Sequence, residues 1–109
     1  MDFNEYQKKS RKSVIYPKPG KNLIFPVLGL CGESGEVAEK VKKLIRDKSS
    51  RIDNSAKEGL KEELGDVIWY VSQIASELEI PLEEIINKNI QKISDRKKRK
   101  VLHGSGDRR

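Results

Sequence analysis

The chain has 109 residues, 37% of them charged and 35% hydrophobic, with a mean hydropathy of -0.72. So little apolar material in a domain of this size predicts either a thin helical core or one completed by a second subunit. One cysteine, Cys31, excludes an intramolecular disulfide framework, and one histidine, His103, leaves too few soft ligands for a typical zinc site. No apolar run nears the ~18 residues of a membrane span, and residues 1–6 have no charged-then-apolar leader. The expectation is a soluble, cytoplasmic protein with a reduced thiol.

Prolines and glycines divide the chain into four helical stretches and a tail, a single domain over residues 1–109 in which 97–109 form a basic tail. Residues 2–14 predict a short first helix with Phe3, Tyr6 and Val14 as its large apolar groups. Tyr16-Pro17-Lys18-Pro19-Gly20 then forbids regular structure. Residues 23–48 carry Val37, Val41, Leu44 and Ile45 at helical spacing, and Pro26 suits the opening turn. Gly29, Gly32 and Gly35 weaken that helix by ~1 kcal/mol each relative to Ala and so require a reason.

After a polar connection over residues 49–55, in which Asn54 or Ser55 serves as the cap, the third helix shows Leu60, Leu64, Val67, Val71, Ile74 and Leu78 in steps of four and three. Ile80-Pro81 ends it. Leu82, Ile85, Ile86, Asn89, Ile90 and Ile93 mark the fourth helix, whose first turn holds Glu83 and Glu84 where the dipole favours anions. No strand-like alternation persists, so the expected fold is all-α, a four-helix bundle-like protomer of one short and three longer helices.

Two segments carry the candidate chemistry. Cys31-Gly32-Glu33-Ser34-Gly35-Glu36 puts carboxylates three apart on one helix face, and Glu62-Glu63-Leu64-Gly65-Asp66 repeats the spacing at 63 and 66. Each pair borders an apolar seam and a glycine that permits close approach, Gly35 or Gly65. Four such acids facing each other repel unless cations neutralise them, and hard oxygen-seeking ions, Mg²⁺ or Mn²⁺, suit that donor set. The residues alone leave a second reading open, that these are solvated acids on helix surfaces.

Taken together, residues 28–43, with Glu33 and Glu36, and Glu62-Glu63-Leu-Gly-Asp66-Val-Ile-Trp-Tyr70 resemble the MazG-type all-α nucleoside triphosphate pyrophosphohydrolases. Asn89-Ile-Gln-Lys92-Ile-Ser-Asp-Arg96 is similar to the family's phosphate-binding stretch, and Gly104-Ser-Gly-Asp107-Arg is similar to a tail of its small members. The resemblance implies Mg²⁺-dependent cleavage of a nucleoside or deoxynucleoside triphosphate to the monophosphate and pyrophosphate. Mn²⁺ is a substitute metal. Glu33, Glu36, Glu63 and Asp66 are then the metal ligands, Glu36 and Glu63 the catalytic residues, and Asn89, Lys92 and Arg96 the substrate-binding ones. No Walker-type glycine loop is present, so phosphate binding rests on metal and helix side chains.

The net charge of +6 lies entirely in residues 96–109, which hold seven basic groups against Asp107. That run reads as a frayed helix end that attracts an anionic substrate, and Gly104-Ser-Gly-Asp107 allows the chain to fold back over a site. The competing function is a non-enzymatic helical module that binds nucleic acid or nucleotides through this tail, whereas the enzyme binds nucleic acid weakly if at all. Trp69, Tyr70, Phe3, Tyr6 and Phe25 are either core or base-stacking groups. Cys31 is expected to be a buried structural thiol, and His103 to have no chemistry. The long seams of the third and fourth helices predict a homodimer or homotetramer.

Overall fold

A computed structural model describes residues 1–109 as four α-helices and no strand: α1 (Phe3–Arg11), α2 (Ile24–Lys48), α3 (Asn54–Glu77) and α4 (Leu82–Lys98). The starts of α1 and α3 are set by side-chain caps. Asp2 accepts from the Glu5 N–H at 2.8 Å, and Asp53 accepts from the Ala56 N–H at 2.8 Å. The cap of α3 is thus one residue earlier than Asn54. Helix α1 stops at Arg11 rather than at Val14, because Ser13 turns its hydroxyl back to the Ser10 carbonyl at 2.7 Å. Helix α4 stays regular through Lys98, so Arg96, Lys97 and Lys98 form its last turn, where cations favour the dipole.

Helices α2 and α3 form an antiparallel hairpin that makes up most of the protomer's packing, and α1 and the first part of α4 dock on the other side of α3. The α1–α3 seam is polar at its centre. The hydroxyls of Ser10 and Ser72 lie 2.8 Å apart, Gln73 donates to Ser10 at 3.0 Å, and Ser72, Gln73 and Ala75 are fully buried. Gln7 closes the corner between α3 and α4, donating to the Ile80 carbonyl at 2.9 Å and accepting from the Leu82 N–H at 2.8 Å. Every buried side-chain polar atom is paired, as a polar core requires.

Gly29 is the glycine on which the hairpin depends. A Cβ there would sit 2.1 Å from Cε1 of Tyr70, so the missing side chain is what lets the ring lie against α2. Gly32, Gly35 and Gly65 have open space around them, so Gly35 and Gly65 do not serve close approach within the protomer. Gly29→Ala is expected to cost about 1–3 kcal/mol through overpacking, whereas Gly32→Ala gains up to ~1 kcal/mol of helix propensity. Thermal melts of the two variants check this: equal midpoints would refute the role of Gly29.

The protomer is open. Its radius of gyration is 16.7 Å, against about 13 Å for a compact domain of this length, and only eight residues are buried. The backbones of α2 and α4 do not come within 8 Å of each other, Cα to Cα. Of the α3 seam, Leu64 and Leu78 are about half exposed. One full face of α2 is bare, with Ile24, Leu28, Val41 and Ile45 exposed along it and Ile24 at 73%. Cys31 lies on that face and is exposed, not buried, because it stands about half a turn from Gly29 and Glu33, which face α3. No helix is long and apolar enough to cross a membrane.

Candidate active site

The antiparallel register that puts Gly29 under Tyr70 carries Glu33, one turn along α2, to the level of Glu63 and Asp66 on α3. One carboxylate oxygen from each of these three residues lies within 4.8 Å of the others. Glu33 and Glu63 are half-buried and Asp66 is exposed, so the cluster opens to solvent on one side. Burial, the charges of Asp66 and Glu63, and that of Glu36 push the Glu33 carboxyl above its usual range. Glu36 is exposed and outside the cluster of three, close enough for its charge to reach Glu33.

These donors fit a hard divalent cation. They are all carboxylate oxygens, gathered from two helices within 4.8 Å of one another, the donor type that hard divalent cations prefer. Their only cationic neighbour is Lys40, whose Nζ lies 3.6 Å from Oε1 of Glu63. Lys40 shares the α3-facing side of α2 with Glu33 and Val37. That periodicity was readable in the sequence, but the partner on α3 was not.

Beside the cluster, α1 brings in two aromatic side chains. Tyr6 and Phe3 line a shallow cleft with Ile68, two residues past Asp66. Burial, with the charge of Asp66 adding to it, raises the Tyr6 phenol. The other aromatics are engaged in packing. Trp69 donates to Ser13 Oγ at 2.9 Å and meets Tyr70 edge-on at 5.0 Å, and Phe25 stacks on Tyr16 at 5.1 Å.

The α4 residues stand apart from the carboxylates. Asn89 is exposed, while Lys92 and Arg96 both turn to Asp107, at 3.3 and 3.4 Å from its Oδ1. The tail therefore does fold back, onto α4 rather than over the acids.

A residue the motif reading missed holds the surrounding frame. Glu77, its side chain 1% exposed, receives Arg11 at 2.7 Å, the Tyr16 hydroxyl at 2.6 Å and the N–H groups of Gly20 and Asn22 at 2.9 and 2.8 Å. It ties α1, the proline loop and the entry to α2 onto the end of α3. The available signal was the proline–glycine loop itself, whose backbone donors need an acceptor.

The MazG nucleotide pyrophosphohydrolase domain matches residues 26–101, which include all four carboxylates and the α4 cations. The chain therefore belongs to the MazG nucleotide pyrophosphohydrolase family, and it is a pyrophosphohydrolase in that general sense. It is also similar to the Gene 37 protein of Mycobacterium phage L5, 41% identical with both chains covered in full. No solved structure matches it.

Proposed function

We propose that the protein hydrolyses a nucleoside or deoxynucleoside triphosphate between its α and β phosphates, releasing the monophosphate and pyrophosphate, in the service of nucleotide-pool clean-up in the cytoplasm. The observation that carries this reading is the convergence of Glu33, Glu63 and Asp66 from two helices in a chain of this family. Glu33, Glu36, Glu63 and Asp66 hold Mg²⁺, or Mn²⁺ in its place. When bound, the cation supplies positive charge to the phosphate oxygens and makes water a better nucleophile. Glu36, exposed beside the cluster, orients the attacking water by accepting its hydrogen bond, and Glu63 holds the opposite side of the site. Asn89, Lys92 and Arg96 bind phosphate oxygens.

Metal removal tests the reading directly. A chelator is expected to abolish release of pyrophosphate from a panel of nucleoside triphosphates, and Mg²⁺ or Mn²⁺ to restore it. Orthophosphate and a diphosphate as products would place the attack elsewhere and overturn it.

The working unit is a homodimer or homotetramer of the single 1–109 domain. The bare face of α2 and the half-exposed α3 residues leave apolar surface wet at ~25 cal/mol for each Å², and a symmetric helical interface buries it. A second protomer also supplies α4 cations that α4 of the same chain does not bring to α2. Sedimentation at micromolar protein is expected to give at least two chain masses; an active species of one chain mass would count against the assembly. Binding of nucleic acid is weak at most, through Lys97, Lys98 and Lys100.

A further inference from the structure

We propose that Asp107 is an internal stand-in for a substrate phosphate, a latch that occupies Lys92 and Arg96 until the triphosphate displaces it. This rests on the assignment of those two cations to phosphate binding. Lys92 and Arg96 lie one helical turn apart on α4, and a single oxygen, Oδ1 of Asp107, bridges them at 3.3 and 3.4 Å. Arg96 is held further by the Asp107 backbone carbonyl, which accepts from Nη2 at 2.8 Å. An anionic oxygen shared by a lysine and an arginine is the arrangement a phosphate group takes up.

The segment is folded so as to deliver that oxygen. Arg109 donates to the carbonyls of Val101 at 3.0 Å, Leu102 at 2.9 Å and Gly106, which curls residues 101–109 into a loop. Gly106 turns at φ 81°, in the left-handed region that favours glycine, immediately before Asp107. The receiving side is asymmetric. The Arg96 side chain is 7% exposed and fixed, while Asp107 is 84% exposed, so its ion pairs are long, wet and screened. A multiply charged phosphate competes well against one exposed carboxylate. The next cation, Arg99, is already paired with Asp95 at 2.8 Å and the Arg109 carbonyl, so Asp107 controls the two that face it.

Inorganic pyrophosphate, the unreactive product, serves as the probe, titrated calorimetrically into the full chain at fixed Mg²⁺. Asp107→Asn is expected to tighten binding roughly 10-fold at low salt by removing the negative charge that Lys92 and Arg96 share, the backbone carbonyl of residue 107 still holding Arg96, and the gain shrinks as salt rises. Asp107→Glu is expected to keep the parent affinity. In hydrogen exchange, amides of residues 101–109 in the parent chain become less protected when pyrophosphate binds. Unchanged or weaker binding by Asp107→Asn overturns the latch, and so does greater protection of the segment, which would make it a lid that closes on the ligand. Binding and turnover separate the two claims. A chain that hydrolyses triphosphates but shows no Asp107 effect loses only the latch, whereas tighter binding without turnover of any triphosphate refutes the hydrolase reading and leaves the latch standing.

Discussion

Glu63→Gln and Asp66→Asn are each expected to lower turnover at least ~10²-fold with the helical fold intact, because each removes a ligand charge from the site that stabilises the phosphates. Both changes relieve repulsion in the cluster, so neither variant is expected to melt below the parent. The controls are neighbours that the structure turns elsewhere. Glu39 pairs with Lys42 at 2.8 Å and Lys43 at 3.9 Å on the surface of α2, and Glu62 is exposed beside Glu63. Glu39→Gln and Glu62→Gln are expected to stay within a few-fold of the parent, in line with the small effects of surface substitutions. Similar, small losses in all four variants, measured as pyrophosphate release under saturating Mg²⁺, would reduce the cluster to surface charge. The same assays with Lys40→Met report whether the lysine 3.6 Å from Glu63 holds that carboxylate in place.

Glu77→Gln is expected to cost about 3 kcal/mol at neutral pH without touching the carboxylate cluster. Burial opposes the charge on Glu77, but the Tyr16 hydroxyl, the Gly20 and Asn22 N–H groups and Arg11 outweigh it and bring the carboxyl to about 2 from its ordinary 4.5. At ~1.4 kcal/mol for each pH unit that difference is worth ~3 kcal/mol, or roughly 10–20 °C in the midpoint of a domain this small. The folded-state value is the depressed one, so this stabilisation is complete above about pH 5 and is lost as pH falls from there towards 2. Thermal melts at pH 7, 5 and 3 read it out. The gap between parent and variant stays constant from pH 7 to 5 and narrows by pH 3; a gap of a degree or two at pH 7, or one indifferent to acid, would show that Glu77 is not the tie. The change also loosens α1, and with it Tyr6 beside Asp66, so a modest loss of activity accompanies the lower midpoint.

Much of this protein is legible along the chain because helices are local objects. The 3.6-residue period places Val37, Val41 and Leu44 on one helix and Val67, Val71 and Ile74 on the next, and it sets Glu33 beside Glu36 and Glu63 beside Asp66 without reference to anything distant. Proline and glycine, acting through their own backbones, mark where the helices stop. The all-α class, the four elements and the two carboxylate pairs follow from such short-range constraints, and the family match over residues 26–101 agrees with them.

What lay beyond the sequence is every choice that depends on how one helix registers against another. The close contact of Gly29 with Tyr70 sets the α2–α3 register, which brings Glu33 to Glu63 and Asp66, leaves Glu36 at the margin and turns Cys31 outward. A period assigns residues to faces but does not say which face meets a neighbour. Polar burial was hidden for a related reason. Ser72, Gln73 and Glu77 look like surface residues until partners more than fifty positions away, Ser10, Arg11 and the loop amides at 20 and 22, satisfy them. Desolvating such groups is costly alone and tolerable only when paired, and only the tertiary structure makes those pairs.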